Sequence, residues 1–180
     1  FRRVLFRSLA LDPSFSRTGL SIWRSPSDYE VNSITYNGNE ENLMKAMDNA
    51  FKISKEVRNY LIDLDDEDEL IVAVEYPIMA TRSGSYLSMI TCKLDSLFRA
   101  FKLTKVVYLP SVAVKAFTKA QSKTDLVKWV KQSNIVEKFN GNHDEATALV
   151  LGEIARQVVS GEYKKSAFVI DYSVTTDKKK

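Results

Sequence analysis

The chain has 180 residues, of which 44% are hydrophobic and 27% are charged, and its formal net charge is +3. These values are typical of one ordinary globular domain with a full core and argue against two domains. The one cysteine, Cys92, excludes an internal disulfide, and no run of the sequence approaches the roughly 18 apolar residues of a membrane span. We therefore expect a cytoplasmic protein without a membrane partner.

The first eight residues form a distinct segment. Residues 3–8 resemble the translation of a common sequencing-adaptor tail. A signal peptide is rejected because the apolar stretch is broken by Arg7 and soon reaches Asp12. We expect residues 1–8 to be a non-native leader, residues 9–172 to form the domain and residues 173–180, with their three final lysines, to form a basic tail.

The order of predicted elements is that of an α/β protein. Strands are predicted over 4–12, 19–24, about 30–36, 70–74 and 105–108, from alternating or continuous apolar runs. Helices are predicted over 40–62, 86–101, 111–118, 123–132 and 144–159, the last capped by Asn142 or His143. Three strands followed by alternating helices and strands predict a mixed sheet with helices on both faces.

Three acidic residues stand where such a sheet presents groups to a ligand. Asp12 and Glu75 each close an apolar run, and Asp144 opens a helix. Carboxylates at strand ends and at an adjoining helix N-terminus converge in one crevice. Because hard divalent cations bind carboxylate oxygens, the pattern predicts a Mg²⁺ site suited to phosphodiester hydrolysis.

The region from Lys102 to Lys138 contains eight lysines and two acids, which indicates a polyanion partner. Cys92 has no nearby histidine, and we expect it to be a thiol in the core rather than a nucleophile.

Four segments resemble, in order and at about the same intervals, the RuvC-like Holliday junction resolvases of the ribonuclease H-like superfamily, especially the phage-type branch. The similarity covers residues 9–158. The matching segments are Asp-Pro-Ser with Arg-Thr-Gly in 12–19, Val-Glu at 74–75, Pro-Ser-Val-Ala-Val-Lys at 110–115 followed by Lys123, and Asn142 to Leu149.

This resemblance implies a ribonuclease H-like mixed five-stranded sheet flanked by helices and a Mg²⁺-dependent, or Mn²⁺-dependent, endonuclease that cuts four-way DNA junctions. It implies that Asp12, Glu75 and Asp144 are catalytic metal ligands. Lys115 and Lys123 are implied as a catalytic pair that grips phosphate, and we expect Lys119 and Arg82 to extend the DNA-binding surface.

The resemblance also implies a bacterial or phage-infected host cell. Because two strands are cut symmetrically, it implies a homodimer. The best candidate for its interface is the helix 86–101, with Met89, Leu97 or Phe98 on the exposed side.

One position departs from the family pattern. A second acid is expected three residues after Asp144, but Thr147 stands there, and a threonine hydroxyl is a poor Mg²⁺ ligand. Glu145 is the candidate replacement ligand, and His143 is a second one. Two alternatives therefore stay open: a non-catalytic junction-binding protein, and another ribonuclease H-like nuclease acting on RNA–DNA hybrids or simple branches.

Overall fold

A computed structural model describes residues 7–14, 16–25, 28–35, 43–62, 70–76, 82–101, 104–163 and 168–171. Strands within these ranges form one sheet in the order β3-β2-β1-β4-β5-β6. The strands are β1 (Arg7–Asp12), β2 (Arg17–Ser25), β3 (Asp28–Thr35), β4 (Leu70–Tyr76), β5 (Thr104–Pro110) and β6 (Phe168–Asp171).

The sheet is mixed, as the sequence predicts. β1, β4 and β5 are parallel to one another, whereas β2 is antiparallel to β1 and β3 to β2. These five strands are the predicted five-stranded sheet. The short strand β6, which pairs antiparallel with β5, was not predicted.

Five helices cover the sheet in the part of the chain that the structure describes. They are α1 (Leu43–Ile62), α2 (Arg82–Ala100), α3 (Ser111–Thr118), α4 (Lys123–Gln132) and α5 (His143–Val159). α1 and α2 pack on one face, and α5 packs on the other face against β1, β2 and β4, with α3 and α4 beside it.

The core has two halves because β4 is buried on both faces. Val72 and Val74 pack with α1 and α2, whereas Ile71 and Ala73 pack on the α5 side. This is why the strand is a continuous apolar run rather than an alternating one. The alternation also fixes the next two side chains: Glu75 continues on the α5 side, and Tyr76 continues on the α2 side.

Two expectations about α2 are wrong. Cys92 is exposed rather than a thiol in the core. It lies two positions from both Ile90 and Leu94, which are fully buried, and two positions correspond to about 200° around a helix. Phe98 is also fully buried and is absent from the exposed side where a partner would pack.

None of the described helices is both long and apolar enough to cross a membrane. Arg7 and Ser8 lie in β1, next to β4. That residues 1–8 are a non-native leader stays a prediction.

Candidate active site

Two of the predicted acids are the last polar groups of adjacent parallel strands. Leu11 in β1 pairs with Val74 in β4, and Asp12 and Glu75 are the next residues along each strand. Their side chains belong to the face on which α5 packs. Neighbouring parallel strands lie about 4.8 Å apart, so the backbone alone brings the two carboxylates together.

A glycine brings the third acid to the same place. Gly19 in β2 is the cross-strand partner of Asp12. A Cβ atom at Gly19 would lie 2.0 Å from the backbone oxygen of Asp144 and 2.4 Å from its carbonyl carbon. Only a residue without a side chain allows the first turn of α5 to approach the sheet so closely. The Arg-Thr-Gly segment therefore has a direct structural role in placing Asp144 beside Asp12.

The rest of α5 is held against the sheet by packing and one buried hydrogen bond. The Ser21 hydroxyl donates to the Ala148 carbonyl oxygen at 2.9 Å, and Ala148 is fully buried. Further along, Gly152 contacts the indole of Trp23 on β2. These contacts fix the helix over β1 and β2, and with it the direction of its N-terminal turn.

The start of α5 explains the fate of Glu145. Asn142 is the N-cap, and its side-chain oxygen accepts from the backbone N–H groups of Asp144 at 2.9 Å and Glu145 at 3.1 Å. The Glu145 carboxylate in turn accepts from the Asn142 N–H at 3.0 Å, which completes a capping box. Glu145 does not line the cleft formed by the other acids. The structure therefore shows Glu145 capping the N-terminus of α5, outside the lining of this cleft, and metal binding by Glu145 stays a prediction.

Thr147 lies inside the cleft, one turn along α5. Its hydroxyl donates to the His143 carbonyl oxygen at 2.9 Å and is also within hydrogen-bonding reach of the Asp12 carboxylate. Only 9% of Thr147 is exposed. The register predicted from the sequence is therefore right at this position, since residue 147 shares the face and the cleft of Asp144.

Asp12, Glu75 and Asp144 line one cleft of about 300 Å³, together with Lys115, Lys123 and His143. Lys123 is the first residue of α4, after the N-cap Ser122. A cation in the first turn of a helix is disfavoured by the macrodipole, so helix stability does not account for a lysine there. The proximity of Lys123 to the acids accounts for it instead, because the charge of Lys123 lowers the pKa of Asp12.

His143 joins the basic and acidic sides of the cleft. Its Nε2 atom lies 2.8 Å from Lys123 Nζ and 2.8 Å from Asp144 Oδ1. His143 is the first residue of α5 and is only partly exposed. The sequence singled out this histidine as a candidate N-cap and as a second replacement for the missing acid, and the structure shows that it lines the cleft.

Burial makes Asp12 and Glu75 resist ionisation, and repulsion by neighbouring acids adds to the effect at Asp12. Desolvation is the largest cause that raises the pKa of Asp12 well above its usual value, followed by the charges of Glu75 and Asp144. Desolvation also raises the pKa of Glu75 to about 7. Buried carboxylates without a compensating cation behave in this way. The cleft therefore favours a positive ligand.

The donor chemistry of the cleft fits a hard divalent cation. Three carboxylates and neighbouring hydroxyls, those of Ser14 and Thr147, provide only oxygen donors apart from His143. Among the described residues, however, no three His, Cys, Asp or Glu side chains already stand at coordination spacing. The structure thus shows acids that share one cleft and does not show an assembled metal centre.

The remaining predicted residues either do not line this cleft or have side chains outside the described part of the chain. Lys119 is exposed and ends α3 with a left-handed backbone conformation, φ 62°. Arg82 begins α2, but its side chain lies outside the described residues. DNA binding by Lys119 and Arg82 stays a prediction. Sequence reasoning did not single out Ser14, Ser111 and Thr118 as lining residues.

Comparison with known proteins identifies the fold. The structure of "T. thermophilus RuvC in complex with Holliday junction substrate" is similar to this chain with a TM-score of 0.64 at 15% identity, over 92% of this chain and 99% of that one. The chain has a RuvC-like fold. The "Thermus thermophilus RuvC structure" gives a TM-score of 0.58 at 16% identity, over 91% and 99% of the two chains.

The sequence itself matches no protein-family profile and no curated protein. At 15–16% identity the structural likeness concerns the fold, and it confirms the predicted ribonuclease H-like mixed sheet with the order β3-β2-β1-β4-β5.

Proposed function

We propose that this protein is a metal-dependent, structure-selective endodeoxyribonuclease that cuts four-way DNA junctions, a Holliday junction resolvase of the phage-type branch. One observation supports this proposal above the others. Asp12, Glu75 and Asp144, from three separate parts of the sequence, line one cleft that also contains Lys115 and Lys123. The RuvC-like fold, and the junction substrate bound to a protein of that fold, add to this support.

In this proposal Asp12, Glu75 and Asp144 hold Mg²⁺ or Mn²⁺. The bound metal supplies an activated water and stabilises the charge that develops on the departing 3′ oxygen. Asp12 and Glu75 are fixed by the ends of β1 and β4, and Asp144 is fixed by the contact of α5 with Gly19. Rigid strand and helix ends keep the three carboxylates in the same cleft.

The lysines act on the other side of the scissile phosphate. Lys115 is exposed on α3, and Lys123 is exposed at the start of α4, both on the rim of the cleft. Their charges attract the DNA backbone and position a phosphate over the acids. Symmetric cutting of two strands needs two such sites facing opposite strands, so the proposal includes a two-fold homodimer. It also places the enzyme in the cytoplasm, where its DNA substrate lies.

A second candidate is a junction-binding protein that lacks cleavage activity. Thr147 favours it, because its hydroxyl is engaged by the His143 carbonyl oxygen and adds no negative charge to the cleft. The two candidates share the basic rim and differ only in metal chemistry. A third candidate, a nuclease for RNA–DNA hybrids or simple branches, shares the metal site and differs in substrate.

The deciding experiment is cleavage of a synthetic four-way junction with Mg²⁺ or Mn²⁺, compared with a linear duplex, a simple branch and an RNA–DNA hybrid of the same sequence. We expect Asp12→Asn to abolish junction cleavage and to leave junction binding in EDTA intact. Asp48→Asn, on the exposed side of α1, is the matched control and should cut at the normal rate. Tight junction binding without cleavage by the unmodified chain would establish the second candidate. Faster cutting of the hybrid or branch would establish the third.

A further inference from the structure

The turn between α3 and α4 contains a lysine in a backbone conformation that favours glycine. Among the described residues, Lys119 is the only non-glycine residue with a positive φ angle, and its φ of 62° and ψ of 10° are those of a left-handed helix. In this conformation the Cβ atom lies too close to a carbonyl oxygen, a clash that glycine avoids because it has no side chain. The chain therefore has a lysine where glycine would make the fold more stable.

Hydrogen bonds to the backbone hold the turn in this conformation. The Lys119 N–H donates to the Lys115 carbonyl oxygen at 2.9 Å, which ends α3 with a left-handed cap. The Ala120 N–H donates to the Thr118 hydroxyl oxygen at 3.2 Å, and the Gln121 amide donates to the Lys119 carbonyl oxygen at 3.2 Å. At position 119 these bonds use only backbone atoms, so a glycine would form them as well. The geometry of the turn does not account for a lysine side chain at its centre.

The same turn forms one wall of the candidate active site. Thr118 and Ala120, the two neighbours of Lys119 in the chain, line the cleft, as do Lys115 before the turn and Lys123 after it. Consecutive Cα atoms lie about 3.8 Å apart, so the backbone of Lys119 is one residue away from the cleft wall on both sides. Lys119 itself is exposed and does not line the cleft. Its charge therefore lies beside the site, between the two lysines that line it along the chain.

We infer that Lys119 binds a phosphate that flanks the scissile one, and that this contact is the reason for a lysine at a position that favours glycine. DNA has one negative charge at every nucleotide, so a strand whose scissile phosphate lies between Lys115 and Lys123 has further phosphates just outside the cleft. Contacts to such phosphates fix the register of the strand without reading its sequence. A residue that breaks a local conformational rule is typical of a functional position. The inference rests on the proposed function and adds a residue that positions the strand.

Three substitutions separate the charge of Lys119 from its backbone. Lys119→Ala removes the charge and keeps the Cβ atom, Lys119→Gly removes both, and Lys119→Arg keeps both. In EDTA, the alanine and glycine variants should bind a synthetic four-way junction equally weakly, and each should lose about 0.9 unit of the slope of log affinity against log salt. Their loss of affinity should therefore be about 3.5-fold larger at about 50 mM salt than at about 200 mM. Lys119→Arg should bind normally.

Thermal unfolding of the same variants provides the second measurement. Lys119→Gly should raise the melting temperature by about 2–4 °C, because it removes the crowded Cβ atom, whereas the alanine and arginine variants should melt with the unmodified chain. A glycine variant that is more stable and yet binds the junction less tightly is the expected result. Lys55→Ala is the matched control. Lys55 is exposed on α1, which packs on the other face of the sheet, and its loss should leave the salt slope unchanged.

The outcomes separate this inference from the proposed function. If the unmodified chain binds the junction and the alanine variant keeps the full salt slope, the inference is overturned and the nuclease proposal stands. The same holds if Lys55→Ala loses as much slope as Lys119→Ala, because the effect is then one of total charge. A glycine variant that is no more stable than the alanine variant would overturn the idea that the position favours glycine. A chain that binds no junction would overturn both proposals.

Discussion

The replacement of Glu75 by glutamine should make the metal-free protein more stable at alkaline pH. Burial raises the pKa of Glu75 from 4.5 to about 7, so the folded state retains a proton that the unfolded state has already lost. Between these two pH values the folded state binds more protons than the unfolded state, and the free energy of unfolding therefore falls as the pH rises. The penalty is absent below pH 4.5 and complete above pH 7.

The magnitude follows from the same shift. A rise from 4.5 to about 7 corresponds to about 3 kcal/mol at 1.36 kcal/mol per pKa unit. Glutamine keeps the shape of the side chain and removes its charge, so Glu75→Gln should recover up to about 3 kcal/mol at pH 8 and almost nothing at pH 4.5. It should also ease the ionisation of Asp12, because the charge of Glu75 is one cause of the raised pKa of that residue.

Urea unfolding in EDTA at a series of pH values between 4.5 and 8.5 measures this difference directly. In a second series with Mg²⁺, the order of the two unfolding free energies at pH 8 should be reversed. The metal should stabilise the unmodified chain at pH 8 and have little effect on Glu75→Gln, since one ligand charge is missing. Parallel pH profiles for the two proteins, or a variant that is less stable at pH 8, would refute the idea that Glu75 is a buried and uncompensated carboxylate.

Four other substitutions test the cleft. Lys115→Ala and Lys123→Ala should each weaken junction binding. In a titration of affinity against salt concentration, each should also make the salt dependence shallower by about one unit of slope. An unchanged slope would show that the substituted lysine does not contact a DNA phosphate. Thr147→Asp should lower the Mg²⁺ concentration needed for cleavage and reduce stability in EDTA, because the new carboxylate lies beside Asp12. Gly19→Ala should cost about 1–3 kcal/mol in urea unfolding and abolish cleavage, since its Cβ meets the Asp144 backbone; normal activity would show that Asp144 need not be so close.

Both ends of α3 and α4 could be predicted correctly because their boundaries have chemical signals. Pro110 cannot continue a strand ladder and precedes α3, and Ser122 caps α4. α5 begins one residue earlier than predicted because Asn142, rather than His143, is the N-cap. The capping role of Glu145 also had a signal in the sequence. Asn142 followed three residues later by a glutamate is the pattern of a capping box, which competes with a role as metal ligand.

Other features depended on three-dimensional contacts. Nothing local in the sequence shows that the Cα of Gly19 faces the backbone of Asp144, because the two residues are far apart along the chain. The contact between His143 and Lys123 likewise depends on how α4 packs against α5. β6 has only four residues and pairs at a sheet edge, so its sequence signal is weak.

The charges of the cleft explain why the identity of residue 147 matters. The pKa of Asp12 is already raised by burial and by two neighbouring acids, while Lys123 and the Thr147 hydroxyl act against that rise. A fourth carboxylate in place of the hydroxyl would remove one of these compensations and add another repulsion. Without metal, threonine is therefore the more stable choice, whereas with metal an aspartate would bind more tightly. The chain has the residue that favours the stability of the metal-free fold, so its affinity for Mg²⁺ depends on how closely Asp12, Glu75 and Asp144 can approach a single ion.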